Sequence, residues 1–155
     1  MLIRNIKSDD SEKITPLLHD WWGGRDMSIP RLFFNHFQDT SFVIEADHKI
    51  IGFLIGFESQ SKRGEAYIHF VGVEPSFRNK KIANKLYNLF IEEVKKNGVN
   101  KLTCITSIVN KNSIAFHTRI GFDIVPGDKK IDGINVHSNY DGVGVDRVLF
   151  VKQLV

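Results

Sequence analysis

The sequence predicts a mixed α/β fold: a central, mixed but mostly antiparallel sheet of about seven strands, flanked by about four helices. Three observations carry that prediction. Runs rich in Val, Ile and Phe over 41–46, 50–57 and 65–73 follow one another with only turn-length breaks, as antiparallel neighbours do. Residues 8–22 and the stretch from about 77 to 96 instead repeat apolar side chains every three or four positions, as amphipathic helices do. The strand–helix–strand passage over 65–106 requires a parallel, right-handed crossover.

Each element has a local reason. Residues 2–6 form a short strand. Ser8 and Asp9 offer N-cap oxygens, and Ile14, Leu17, Leu18 and Trp21 recur at helical spacing, so a first helix runs to about Trp22 and ends at Gly23-Gly24. Ile29-Pro30 opens a second helix whose apolar residues are Leu32, Phe33, Phe34 and Phe37. Asp47-His48 reads as a hairpin turn between the next two strands, and 59–64 is a polar loop before the strand 65–73. Pro75 stops that strand. A long helix then begins near Phe77 or Arg78, with Ile82, Leu86, Leu89 and Phe90 as its stripe and Asn97-Gly98 as its end. A buried strand over 101–106, a helix over 112–120 ended by Gly121, and a strand over 122–125 follow. Residues 126–146 read as a polar, turn-rich stretch with Asp132-Gly133 and Asp141-Gly142 as turn pairs, and 147–154 is the last strand.

With 155 residues, 42% hydrophobic and 25% charged, one domain over 1–155 is expected. No run is apolar enough for a signal peptide or membrane span, so a cytoplasmic protein without a membrane partner is expected. A lone cysteine, Cys104, excludes an intramolecular disulfide and a multi-cysteine metal site, and no metal is expected. It sits mid-strand without a basic neighbour and reads as a small apolar residue rather than a nucleophile. The net charge of +3 is spread along the chain, which argues against a nucleic-acid partner.

Two constellations carry chemistry. The first is Val71-Gly72-Val73-Glu74-Pro75-Ser76-Phe77-Arg78-Asn79-Lys80-Lys81-Ile82-Ala83, where a strand ends and a helix begins on a basic run. Free N–H groups and the dipole of a helix N-terminus attract anions, and Arg78, Lys80 and Lys81 add charge there. The same residues read equally as a solvated helix start. The segment resembles the acetyl-coenzyme A signature of the GNAT (Gcn5-related N-acetyltransferase) superfamily, Arg/Gln-x-x-Gly-x-Gly/Ala after Val-x-Pro. Here it runs Arg78-x-x-Lys81-x-Ala83, with Lys in place of the first Gly. A helical Lys81 would carry no φ penalty, so the turn is expected to form.

The second constellation, Asn110-Lys111-Asn112-Ser113-Ile114-Ala115-Phe116-His117 followed by Gly121-Phe122, resembles the C-terminal signature of the same superfamily. The resemblance implies the GNAT fold, with its sheet splayed in the middle, and acetyl-coenzyme A as co-substrate. It places Val71, Gly72, Val73, Arg78, Asn79, Lys80, Lys81, Ile82, Ala83, Asn110, Ser113 and Phe116 at the cofactor. It implies that Asn110 holds the pantetheine or phosphate arm. His117 stands where the superfamily has a tyrosine that protonates the leaving thiolate; an imidazolium can do the same, or the ring only packs.

Tyr67, His69, Val71 and Val73 alternate onto one strand face. The resemblance makes His69 a candidate general base, with Glu65 a weaker one, and a partly buried histidine satisfied by a carbonyl is the alternative. The acceptor walls would be the first helix pair (Trp22, Arg25, Asp26, Arg31) and the loop with Asn139, Tyr140, Asp141 and Arg147. Arg25 or Arg31 would clamp a carboxylate and Asp141 would face an ammonium, which suits a small polar amine such as a free amino acid; taken singly, each residue also reads as core or surface. The expected reaction is direct attack of a primary amine on acetyl-coenzyme A in a ternary complex, with an N–H near Val71 or Gly72 polarising the thioester carbonyl. The alternatives are a catalytically impaired acetyl-coenzyme A-binding module acting as sensor or partner, and a nucleic-acid binder using 78–81 and Lys95-Lys96. A homodimer through the C-terminal strands is the one assembly the resemblance implies.

Overall fold

A computed structural model describes residues 1–25 and 27–155. The chain opens with β1 (Leu2–Asn5), then α1 (Asp10–Ile14), α2 (Leu18–Trp21) and α3 (Arg31–His36). Strands β2 (Phe42–Ala46), β3 (Lys49–Glu58) and β4 (Glu65–Val73) form the expected meander, and α4 (Ile82–Lys95) crosses over to β5 (Lys101–Thr106). The C-terminal part holds α5 (Lys111–Arg119), β6 (Asp123–Ile124), β7 (Lys129–Ile131), β8 (Ile134–Val136) and β9 (Val148–Gln153). Seven strands make one sheet in the order β1-β2-β3-β4-β5-β9-β6, and β7 and β8 form a separate hairpin. Only β4 and β5 pair in parallel within the large sheet; its other neighbours are antiparallel.

Helices cover both faces of the sheet. On one, Ile14, Leu18, Trp21 and Phe34 pack against Val43, Phe53 and Phe70. On the other, Ile82, Leu86, Phe90 and Ile114 pack against Leu54, Ile68, Leu102 and Phe150. A Cβ at Gly56 would lie 2.4 Å from the Phe90 ring, so a hydrogen there is what lets α4 settle onto β3.

Several expectations are corrected. The first helix is broken by a 3₁₀ turn, Thr15–Leu17, because Pro16 has no N–H for the helical ladder. The long helix starts at Ile82 rather than near Phe77, since Pro75–Lys80 is a 3₁₀ turn. Within the stretch 126–146 lies the β7–β8 hairpin, whose turn residues Asp132 and Gly133 have φ of 51° and 79°, the mirror-image turn that two-residue hairpins favour.

No side chain caps α1. The first turn is held instead by the fully buried Asp10, whose carboxylate accepts from the Lys7 N–H at 2.7 Å and from both Arg4 terminal nitrogens at 2.8 and 2.9 Å. Arg4 also donates to Glu45 at 3.0 Å, so one guanidinium joins β1, β2 and α1. Burial alone would raise the Asp10 pKa, but the Arg4 and Lys7 bonds outweigh it and hold the carboxyl below its ordinary range. A depressed carboxylate pKa contributes stability that is present above the unfolded value and lost as pH falls through the folded one. Arg4→Met, which leaves this buried charge without its main partner, should cost about 3 kcal/mol in urea unfolding at neutral pH, and the difference from wild type should shrink at acid pH. An unchanged midpoint at neutral pH would contradict that role.

Candidate active site

Strands β4 and β5 pair only at Glu65↔Lys101, Ala66↔Leu102 and Tyr67↔Thr103. Beyond that β4 continues along β3 to Val73, while β5 stays with β9 to Thr106, so the sheet opens between them. A groove of about 510 Å³ lies over the paired starts of β4 and β5 and the adjoining β9, lined by Tyr67, Thr103, Ile105, Tyr140 and Leu149. The register of β4 slips beside it: Gly56 faces Ile68 and Ile55 faces Phe70, leaving His69 as the extra residue of a β-bulge.

The bulge corrects the expected alternation. Tyr67 and His69 lie on the α3 side, where His69 is exposed and stacks on Phe33 at 4.9 Å, whereas Val71 and Val73 pack with the α4-side core. Past the bulge, the carbonyls of Val71 and Val73 accept from Trp22 Nε1 at 3.2 Å and Arg78 Nε at 3.4 Å. These carbonyls therefore face away from β3, and alternation sends the Val71 and Val73 N–H groups the same way, towards the opening. Gly72 pairs with Phe53 and belongs to the β3 ladder.

The turn after β4 ends at Lys81, which has φ 59° and ψ 28°. The expectation of a penalty-free helical Lys81 is thus overturned: the position is left-handed, which explains why a glycine suits it. No side chain caps the α4 N-terminus at Lys81, so the first N–H groups, those of Ile82 and Ala83 among them, remain for an anionic ligand. Lys80 lies over the Phe77 ring at 5.3 Å and, with Asn79, is exposed beside this turn. Arg78 is committed elsewhere, donating to the Trp21 and Val73 carbonyls.

On α5, Asn110 is the N-cap residue, its Oδ1 accepting from the Ser113 N–H at 3.2 Å, while Phe116 packs at the core edge with its ring 5.4 Å from that of Tyr87. His117 is buried and both ring nitrogens are engaged: Nδ1 with the Ser113 carbonyl at 2.7 Å, Nε2 with the Tyr87 hydroxyl at 2.7 Å. A carbonyl partner makes Nδ1 the donor, so Nε2 accepts from Tyr87. Burial lowers the His117 pKa against the opposing pull of Ser113, and the ring stacks on Phe150 at 4.7 Å. This is a neutral, packed histidine. Tyr87 went unmarked in the sequence, although its place beside Leu86 and three residues before Phe90 put it on the widened α4 stripe.

The acceptor-side residues divide. Trp22 stacks on Phe70 at 6.0 Å, next to His69, and Asp141 pairs with Arg147 at 2.8 Å. Asp141 is close enough to both His69 and Tyr67 to influence their titration, and Tyr140 lines the groove with Tyr67. Arg25 and Arg31 do not join them: Arg25 donates to the Trp22 carbonyl at 3.1 Å, and Arg31 pairs with Glu12 at 3.2 Å on the exterior. Asp26 lies outside the described residues. Glu65 is taken up at the strand start, 3.8 Å from Lys101 Nζ. Burial pushes the Cys104 thiol up, which keeps it protonated. Among the described residues, no group of three His, Cys, Asp or Glu could hold a metal, and no helix is long and apolar enough to cross a membrane.

An uncapped helix start beside an opened sheet leaves backbone polar groups without a strand or helix partner. Residues 8–122 match the Acetyltransferase (GNAT) family, and the chain belongs to it. An uncharacterised N-acetyltransferase of Methanocaldococcus jannaschii is 30% identical over an alignment of 135 residues that covers 78% of this chain; the chain spans only 60% of that relative's length. Ard1 of Thermoplasma volcanium superposes with a TM-score of 0.78 at 16% identity, covering 99% of this chain and 97% of that one. A diaminobutyrate acetyltransferase of Paenibacillus lautus, solved with L-2,4-diaminobutyric acid and coenzyme A, gives 0.72 at 22% identity, covering 97% and 92%.

Two stability outcomes follow from this geometry. Lys81→Gly removes a left-handed non-glycine residue and should raise stability by about 1 kcal/mol, read as a higher thermal midpoint. Tyr87→Phe leaves the buried Nε2 of His117 without its donor and should cost about 1–3 kcal/mol in chemical denaturation.

Proposed function

We propose that the protein transfers an acetyl group from acetyl-coenzyme A to the primary amine of a small polar molecule, such as a free amino acid, by direct attack in a ternary complex. The observation that carries this reading is the opening beyond Tyr67↔Thr103, which leaves the polar groups of Val71 and Val73 unclaimed by any strand. Ile82, Ala83, Lys80, Asn79 and Lys81 would hold the diphosphate, and the Asn110 amide would meet the arm. Acetyl-coenzyme A supplies the thioester as acyl donor. The Val71 N–H polarises its carbonyl.

On the other side of β4, His69 accepts the proton that the ammonium must lose before attack. The Phe33, Tyr67 and Phe70 rings packed on it strip away part of its water and lower its pKa, with Asp141 pulling the other way, so the ring is a neutral acceptor at pH 7. Because both nitrogens of His117 are engaged, water relays the second proton of the attacking nitrogen to the leaving thiolate as the C–S bond breaks. The aromatic face of Tyr67, Phe33 and Tyr140 with the Asp141–Arg147 pair would receive a polar amine; Asp141 attracts the ammonium and Arg147 takes the place first expected for Arg25 or Arg31. The Paenibacillus lautus enzyme, a structural neighbour, carries an amino acid of this class.

Free thiol release from acetyl-coenzyme A over a panel of amino acids, polyamines and N-terminal peptides tests the proposal. Turnover on amino-acid amines should exceed that on peptides; coenzyme A binding without turnover on any amine would instead support the binding-module reading. His69→Ala should lower kcat/KM about 100-fold. In the wild type, kcat/KM should fall on the acid side, through a limb below the ordinary histidine value of about 6.5, and the variant should lose that limb.

A further inference from the structure

We infer that Arg78 is a positioning residue that ties the cofactor turn to the acceptor wall, rather than a ligand of the diphosphate. Trp21 is the last residue of α2, so its carbonyl has no partner within that helix. The Arg78 guanidinium fills this need with one nitrogen and reaches the Val73 carbonyl at 3.4 Å with another. In the opposite direction, Trp22 Nε1 donates to the Val71 carbonyl at 3.2 Å. The end of α2 is thus stitched to the last residues of β4 by bonds running both ways.

The stitch leads from one substrate to the other. Arg78 belongs to the 3₁₀ turn Pro75–Lys80, which precedes the α4 N-terminus. Trp21 stacks on Phe53 at 6.1 Å and Trp22 on Phe70 at 6.0 Å, and Phe70 and Phe33 both contact His69. Whatever fixes the turn therefore fixes the aromatic wall beside His69, and by linkage an ordered wall favours binding at the turn. The two carbonyls hold the Nε–H and one Nη2–H and so fix where the guanidinium points, while the anion is served by Lys80 and the uncapped N–H groups. This inference rests on the coenzyme A placement proposed above.

Trp21 and Trp22 are the only tryptophans in the sequence, so tryptophan emission reports this wall alone. The full-length wild type, Arg78→Gln and Arg78→Lys are titrated with coenzyme A, with Kd from calorimetry and wall order from acrylamide quenching. In the wild type, coenzyme A should reduce quenching. Arg78→Gln should bind coenzyme A with Kd within about threefold of wild type, yet its tryptophans should be more quenchable without ligand and gain less than half of the wild-type protection. Arg78→Lys keeps a cation but cannot fork between two carbonyls, and should behave as Arg78→Gln does. An affinity loss of about thirtyfold in Arg78→Gln with recovery in Arg78→Lys would make Arg78 a phosphate ligand and overturn the inference. Equal protection in all three proteins would overturn it too. Absence of coenzyme A binding by the wild type would remove the cofactor placement itself.

Discussion

The site depends on two strands that pair for only three residues. β5 runs its whole length beside β9, whereas β4 follows β3, and a single parallel contact at their starts holds the halves of the sheet together. Had the pairing continued, the ladder would have consumed the polar groups of Val71 and Val73. Instead the bulge at His69 increases the local twist and turns β4 aside. The buried apolar layers on both faces, with Phe53 and Phe70 on one and Phe90 and Phe150 on the other, resist closure of the opening. An opening inside a rigid sheet is a preorganised place for an extended ligand.

Two histidines show how position decides chemistry. Loss of water around the ring lowers the pKa of both, through burial at His117 and through packed aromatic rings at His69, so both are neutral at pH 7. His117 lies inside the α4–α5 layer with each nitrogen bonded, which leaves it no proton to give and none to take. His69 sits at the bulge, stacked on Phe33 but exposed, within the influence of Asp141. The same residue type is a packing element in one place and a candidate base in the other.

Arginines divide in the same way. Arg4 gathers Asp10 and Glu45 and holds the first strand to the first helix turn, and Arg31 spends its charge on Glu12 at the surface. Arg147 pairs with Asp141 at the groove side. Each was one more scattered charge in the composition, and only the fold decides which of them meets a partner.

Periodicity and turn chemistry made the seven main strands, the α4 crossover and the Asp47-His48 hairpin legible, because those signals are local. The β7–β8 hairpin was hidden, since strands of three residues are too short to show a period. The two motifs marked a strand-to-helix turn and α5 in the chain, but spacing says nothing of where a side chain turns. The sequence by itself determined the sheet and the crossover. Only the tertiary structure decided that Lys81 is left-handed, that His117 is sealed by Tyr87, that the bulge sets His69 and Val71 on opposite faces, and that Arg78 reaches back to Trp21. Those are outcomes of packing between residues far apart in the chain, where the register of one strand and the reach of one side chain settle what local pattern leaves open.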